Sequence, residues 1–347
     1  MGFFACGLES EASAARTPVE WEEPHCPLCN SDCANLLLEA ADPNAGAAGL
    51  WFPITQCQDC GLCYTNPRPS ENVIGRFYPE GYGPHGKTNK TPRKKSRRRW
   101  RLWGKSRTEP LDNQPIHGQG RLLDFGCGNG AFLQRMKERG WIVTGVDASV
   151  AVVQHLRSER GLRAVAGSLP HPELGDGNFD VITMRQSLEH VHRPLEVLRA
   201  AHRLLAPGGL LVVSTPNIDS LPFKWFGRYW LGLDLPRHLT HFTPDTLQLI
   251  LARAGFDVGA VRMVRHTKWL RRSAKHAAAY DDLPRWQRWL RRRLLSSLAM
   301  WYAFFARRCD GIVVTAVKSD LPILEMVPAV NQETERPRSP VDRWRNK

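Results

Sequence analysis

Four of the nine cysteines in this 347-residue chain fall into two close pairs. Cys26-Pro-Leu-Cys29 and Cys57-Gln-Asp-Cys60 are C-x-x-C knuckles separated by 27 residues. Each knuckle suits two corners of a tetrahedral ion. Four thiolates leave no open position for water, so the chemistry expected is a structural zinc site rather than a catalytic one. Gly61 follows the second knuckle, where the chain must turn tightly. Cys33 and Cys63 are spare candidates. Disulfides compete with zinc, and so does a thioredoxin-like redox pair. The knuckle spacing weighs against the first, and the presence of two knuckles weighs against the second.

A second chemical constellation is Leu122-Leu123-Asp124-Phe125-Gly126-Cys127-Gly128-Asn129-Gly130. Apolar residues and Asp124 end a strand, three alternate glycines make a tight turn, and an amphipathic segment runs from Ala131 to Gly140. Glycine lets backbone approach a ligand, and the following helix offers free amides. A strand from Trp141 to Val146 then ends in Asp147, about one βαβ unit on, where a ribose diol would need an acceptor. A nicotinamide-binding Rossmann domain uses the same devices.

Two further clusters carry imidazoles. In Met184-Arg185-Gln186-Ser187-Leu188-Glu189-His190-Val191, His190 is a candidate base, since an imidazole titrating near neutrality can take a hydroxyl proton. The alternative is that Glu189 and His190 cap or line the next helix. In Asp234-Leu-Pro-Arg237-His238-Leu-Thr-His241-Phe242-Thr243, Arg237, His238 and His241 follow an aromatic stretch, Phe223 to Trp230. Polar groups beside an apolar wall suit a ring substrate with oxygen functions. Thr243 before Pro244 reads as a helix N-cap, so His238 is favoured over His241 for chemistry.

Further elements must position these residues, and 255–264 and 311–318 read as strands. The glycine turn and Asp147 resemble the class I S-adenosylmethionine-dependent methyltransferases, and the resemblance covers roughly 120–318: 178–182 looks like that family's fourth strand, and Leu204-Leu205-Ala206-Pro207-Gly208-Gly209 like the turn before its fifth, 210–214. The nicotinamide reading does not explain the Pro-Gly-Gly turn. The resemblance implies an α/β fold: a Rossmann-like seven-stranded methyltransferase sheet, with a small N-terminal zinc-knuckle module and a helical insertion before the last strand. It implies S-adenosylmethionine as cofactor, held by Asp124, Gly126, Gly128, Gly130, Asp147 and Gln186, with Ser168 and Leu169 at the adenine. It places His190, His238 and Glu189 at the methyl acceptor.

The Glu-His step resembles that of ubiquinone-type O-methyltransferases and of sugar methyltransferases. In the former an additional Glu, three residues earlier, helps hold a divalent metal. Here that position is Gln186, which weakens a magnesium site. The stretch from Cys57 to Tyr82 looks like the zinc module found before some bacterial sugar and cell-envelope methyltransferases, whose aromatic residues form a lid. Tyr78 and Tyr82 are the candidates, with simple packing as the alternative reading.

The net charge of +14 is unevenly spread. Residues 87–108 carry 11 cations and no acid, while 262–308 carry 13 cations and 2 acids. The first segment, with Trp100 and Trp103, reads as a solvated linker, a nucleic-acid contact or a lipid contact. Leu283, Trp286, Leu290, Leu294, Leu298, Trp301 and Phe305 recur at helical spacing, as one basic amphipathic helix facing a membrane, a core or a partner.

The organisation expected is a zinc module with aromatic lid at 1–86, a basic linker at 87–110, a methyltransferase domain at 111–318 with its helical insertion at 265–308, and a disordered tail at 319–347. The function expected is methyl transfer to a hydroxyl or carbon of a sugar, ring or lipid-linked substrate. Alternatives are a quinone-precursor O-methyltransferase and a nucleic-acid-binding or nucleic-acid-methylating protein. No Asn-Pro-Pro-aromatic string follows strand four, which argues against base methylation. No leader or spanning segment is evident, so the expected site of action is the cytoplasm, with an anionic inner-membrane face as a candidate partner. Nothing in the sequence sets an oligomeric state.

Overall fold

A computed structural model describes residues 19–43, 50–78, 116, 118–279 and 284–319. The expected lid residue Tyr82, the basic linker with Trp100 and Trp103, Leu283 and the tail beyond Ser319 lie outside the described residues. The chain opens with β1 (Trp21–Glu22), β2 (Ala34–Ala41), β3 (Trp51–Cys57), β4 (Cys63–Thr65) and β5 (Arg68–Pro69). A single 3-10 turn, Ile74–Phe77, follows.

The larger domain then alternates strands and helices. It runs β6 (Arg121–Phe125), α1 (Ala131–Glu138), β7 (Ile142–Asp147), α2 (Val150–Arg160), β8 (Arg163–Ala166), β9 (Phe179–Arg185), α3 (Pro194–Leu204) and β10 (Leu205–Pro216). After β10 come α4 (Leu221–Phe226), β11 (Thr240–His241), α5 (Pro244–Arg253), β12 (Phe256–Val264), α6 (Thr267–Ala277), α7 (Arg285–Trp289), α8 (Arg293–Phe305) and β13 (Gly311–Lys318).

Seven strands form one sheet in the order β8-β7-β6-β9-β10-β13-β12. The first five are parallel. Burial on both faces explains their near-continuous apolar runs. β13 runs antiparallel to β10 and to β12. That reversed strand, inserted between the fifth and sixth, departs from the all-parallel order of a nicotinamide-binding sheet.

Helix ends follow local chemistry. Ser149 caps α2 by accepting the Val152 amide at 3.3 Å, and Thr243 caps α5 by accepting the Thr246 amide at 3.1 Å. Residues 206–209, expected as a turn before the fifth strand, lie within β10, whose pairing with β9 shifts register between Leu205 and Leu210.

A second sheet has the order β11-β4-β3-β2. Its outer strand comes from the larger domain, with Thr240 opposite Tyr64 and His241 opposite Cys63. Knuckle residues Cys26, Leu28 and Cys57 pack in the same apolar cluster as α3, α5 and β10. The module therefore shares a core with the domain. A further cluster joins Phe52, Ile54 and Phe77 to Trp230, Leu270 and Met300, seating the helical insertion on the module.

The apolar stripe expected as one helix is two, α7 and α8, broken at Leu290–Arg292. Its members on α8 face outward. The buried face is instead Ser296, Met300 and Ala303, and Met300 packs in the cluster that holds Leu270, Ala274 and Ala277 of α6. Periodicity finds an apolar stripe but cannot say which of two stripes turns inward. No helix among the described residues is long and apolar enough to cross a membrane.

Candidate functional site

The ends of β6, β7, β9 and β10 meet at one edge of the sheet, the edge where open α/β sheets bind ligands. Gly126, Gly128 and Gly130 all adopt positive φ, at 72°, 50° and 69°. A side chain at Gly126 would meet the Ser187 Cβ at 2.5 Å. Ser187 is fixed there because its hydroxyl donates to the Phe125 carbonyl at 2.9 Å. The turn folds back on β7, with the Gly126 amide donating to the Val146 carbonyl at 2.8 Å.

Asp147 stands at the end of β7. Its carboxylate accepts the Gly128 amide at 2.9 Å and the Ser149 amide at 2.9 Å. Those bonds fix its orientation and leave lone pairs for a diol. Asp124 is buried and accepts the Thr183 hydroxyl at 2.6 Å. Burial pushes its carboxyl up to about 6, against the pull of Arg185. Leu169 is buried and Ser168 exposed on the loop after β8. Gln186 adopts φ 54°. Its Nε2, the Ser214 and Thr215 hydroxyls and both Glu189 oxygens are buried without a hydrogen-bond partner among the described residues. Orphaned polar atoms at a strand edge fit a polar ligand such as S-adenosylmethionine, because each otherwise costs free energy.

Beside this edge lie Glu189, His190 and His238. The rings of His190 and His238 meet edge-to-face with centroids 4.6 Å apart. Nδ1 of His190 faces the Arg237 carbonyl at 3.0 Å and the Tyr78 hydroxyl at 3.2 Å. Nδ1 of His238 faces the Gly232 carbonyl at 2.9 Å. A carbonyl can only accept, so each Nδ1 carries the proton and each Nε2 keeps a lone pair.

Burial lowers His190 to about 3, with His238 adding to the shift. Burial likewise lowers His238 to about 4, opposed by Asp234. The expectation that His190 titrates near neutrality is corrected here: taken out of water, the ring stays neutral. Burial drives Glu189 the other way, up to about 8. The three side chains offer donor atoms within 4.8 Å of one another. Two imidazoles and one carboxylate suit a transition ion, whereas magnesium prefers oxygen ligands.

Arg237, expected at the substrate, serves a different purpose. Its side chain is fully buried. It donates to Asp42 at 2.6 and 3.0 Å, to Asp234 at 2.8 Å and to the Phe77 carbonyl at 2.7 Å. Burial opposes its charge, but the two carboxylates outweigh that and hold its pKa above the ordinary value. The guanidinium thus clamps the module to the loop carrying His238. A second tie is Arg68, which donates to Glu22 at 2.6 Å and to the His192 carbonyl at 3.1 Å. His241 lies in β11, with Nε2 3.2 Å from the Thr65 hydroxyl.

The two knuckles face each other. Sγ of Cys26 is 3.5 Å from that of Cys60, and Sγ of Cys29 is 3.5 Å from that of Cys57. All four lie within 4.8 Å of one another. A zinc ion with Zn–S bonds of about 2.3 Å separates its sulfurs by about 3.8 Å, so the donor set fits that metal. The sulfurs cannot all ionise alone. The bond from Cys60 lowers Cys26, and that same pairing raises Cys60.

Each knuckle is followed by a residue at positive φ, Asn30 at 62° and Gly61 at 75°. Sequence reasoning noted Gly61 and missed Asn30. Its signal was available, since asparagine tolerates that region. Asp42 gave no signal. Cys33 and Cys63 lie outside the four-sulfur group.

The chain matches the family described as Methyltransferase domain over residues 90–261. It is 39% identical over 150 residues to the ubiquinone biosynthesis O-methyltransferase of Pseudomonas aeruginosa (strain LESB58), covering 40% of this chain and 65% of that protein. Against the protein of the same name from Caulobacter sp. (strain K31) it is 37% identical over 151 residues, covering 40% and 60%. The chain thus spans just under two thirds of these curated relatives. Among solved structures, an S-adenosylmethionine-dependent methyltransferase from Mesorhizobium loti aligns over 60% of this chain and 95% of its own, with 22% identity and a TM-score of 0.42. The reversed strand between the fifth and sixth, the glycine turn held by the acid of β7, and the family match over 90–261 agree: the chain carries a class I S-adenosylmethionine-dependent methyltransferase domain.

Proposed function

We propose that the chain transfers a methyl group from S-adenosylmethionine to a hydroxyl oxygen, with carbon as the lesser choice, of a sugar or ring substrate, free or lipid-linked. The observation that carries this reading is the pair of neutral imidazoles, each with its Nδ1 held by a carbonyl, beside the strand edge that holds the glycine turn. When bound, the cofactor supplies a methyl group on a positively charged sulfur.

The chain's own residues do the rest. Asp147 accepts from the ribose hydroxyls, and the glycine turn admits the ligand close to backbone. The acceptor hydroxyl lies against Nε2 of His190, which receives its proton as the methyl reaches oxygen. Glu189 as a neutral acid donates a hydrogen bond to the substrate, and alignment supplies most of the rate. The four cysteines would hold zinc, which fixes the module's shape and takes no part in the chemistry. A quinone-precursor O-methyltransferase is the second reading, favoured by the names of the curated relatives.

The test is calorimetry with S-adenosylmethionine, followed by labelled-methyl transfer to glycan, lipid, quinone-precursor and RNA fractions. Asp147→Ala should weaken cofactor binding by about ten- to a hundredfold through lost charged hydrogen bonds. His190→Ala should leave that affinity intact and lower turnover by ~10²–10⁴. Unchanged affinity in the first variant, or unchanged turnover in the second, overturns the assignment. Label in the quinone-precursor fraction alone selects the second reading.

A further inference from the structure

The outward face of α7 and α8 has no counterpart in the site described above. Trp289, Leu294, Leu298 and Phe305 are 60%, 71%, 56% and 77% exposed. Leu294, Leu298, Trp301 and Phe305 follow one another at spacings of four, three and four residues, so they form a single ridge along α8. Aromatic rings knit it together: Trp301 stacks on Phe305 with centroids 5.8 Å apart. The guanidinium of Arg265 sits over the Trp301 ring at 3.5 Å. A soluble helix turns its largest apolar residues inward, and α8 does the reverse.

Cations rim the ridge. Arg288, Arg291 and Arg292 line a concavity with Trp289, and Arg293 starts α8. Residues 284–309 contain no acid at all. Lys268, Arg271, Arg272 and Lys275 on the neighbouring α6 extend the positive charge.

We infer that the α7–α8 face docks on the surface of an anionic phospholipid bilayer. Tryptophan and tyrosine settle at the headgroup level, leucine and phenylalanine reach the acyl boundary, and arginines pair with lipid phosphates. Two other occupants fit less well. A second copy docked on the same face would set two arginine-rich rims against each other, which is repulsive. A nucleic acid would use the aromatic rings and the cations but leave the aliphatic Leu294 and Leu298 without a role. The face is independent of the acceptor's identity, and it would bring a catalyst to substrates that do not leave the bilayer.

The experiment is co-sedimentation of the full-length protein with vesicles of phosphatidylcholine alone and of phosphatidylcholine mixed with phosphatidylglycerol. Binding is expected only to the mixed vesicles and should weaken with added salt. The double change Leu294→Ser with Leu298→Ser should lower partitioning by roughly a hundredfold, on the order of tenfold per exposed leucine. A second variant, Arg292→Gln with Arg293→Gln, should lower it about five-fold per cation. S-adenosylmethionine affinity should be unchanged in both, which shows that the fold survives. Equal binding to the two vesicle types, or none to either, overturns the inference. So does a concentration-dependent dimer, or retention on RNA, that either variant abolishes while vesicle binding persists.

Discussion

His190 and Glu189 are adjacent in sequence, yet burial moves them in opposite directions because desolvation penalises whichever form is charged. His190 falls to about 3 and Glu189 rises to about 8. The pH dependence of kcat/KM should therefore show no inflection near 6.5, where a free imidazole titrates. It should show an alkaline limb near 8, where Glu189 loses its proton, and Glu189→Gln should remove that limb while keeping the acid side. An inflection near 6.5 would mean that His190 is solvated in the working enzyme. Residue types and spacing brought the histidines, the acid and the glycine turn to notice. They misjudged Arg237, because a polar group beside an aromatic stretch reads as a ligand contact. Its partners Asp42 and Phe77 lie 195 and 160 residues away in the chain, beyond the reach of any local pattern.

At the scale of elements, the parallel strands were legible because burial on both faces writes itself as uninterrupted apolar runs. The strand expected at 311–318 coincides with β13. The two-residue β11 was not legible, since so short a strand carries no period. Yet β11 joins the cysteine module to the loop carrying His238: the Thr65 hydroxyl donates to the His238 carbonyl at 2.9 Å, and the Leu239 amide donates to the Glu189 carbonyl at 2.8 Å. Arg253 on α5 also reaches the Leu28 carbonyl of the first knuckle, at 2.9 Å. Metal loss should therefore slow turnover. Cofactor affinity should hold, because helix α1 after the glycine turn packs in a separate apolar cluster. Calorimetry and turnover measured before and after chelation check both halves. Asp42→Asn, which weakens the Arg237 clamp, should lower stability by about 3 kcal/mol in a denaturant titration. A wild-type midpoint in that variant would show that the clamp contributes nothing.

For the whole molecule, buried titratable groups shape stability against pH. His190, His238 and His241 have folded-state values of about 3, 4 and 3, all below the unfolded 6.5. The unfolded chain therefore binds more protons on acidification, and their contribution is lost as pH falls below 6.5. Glu189 is raised, so its contribution is present below 4.5 and lost as pH rises to about 8. Between 4.5 and 6 three histidine protons oppose those of Glu189 and of Asp124, whose buried carboxyl is raised to about 6, leaving a net of about one, worth about 1.4 kcal/mol per pH unit. Stability should peak near pH 6.5 and fall on both sides. Unfolding midpoints across that range test this, and Glu189→Gln should flatten the alkaline wing.

The shared second sheet also has a consequence during synthesis. Thr65 and His241 are 176 residues apart, so on the ribosome β4 emerges long before the strand that covers it. Until then the module presents an unpaired edge, which is a template for pairing with another nascent chain. The four knuckle cysteines, all within residues 26–60, likewise emerge before the strand that covers β4. A message truncated before codon 240 would leave that edge open, and such a fragment should associate through it.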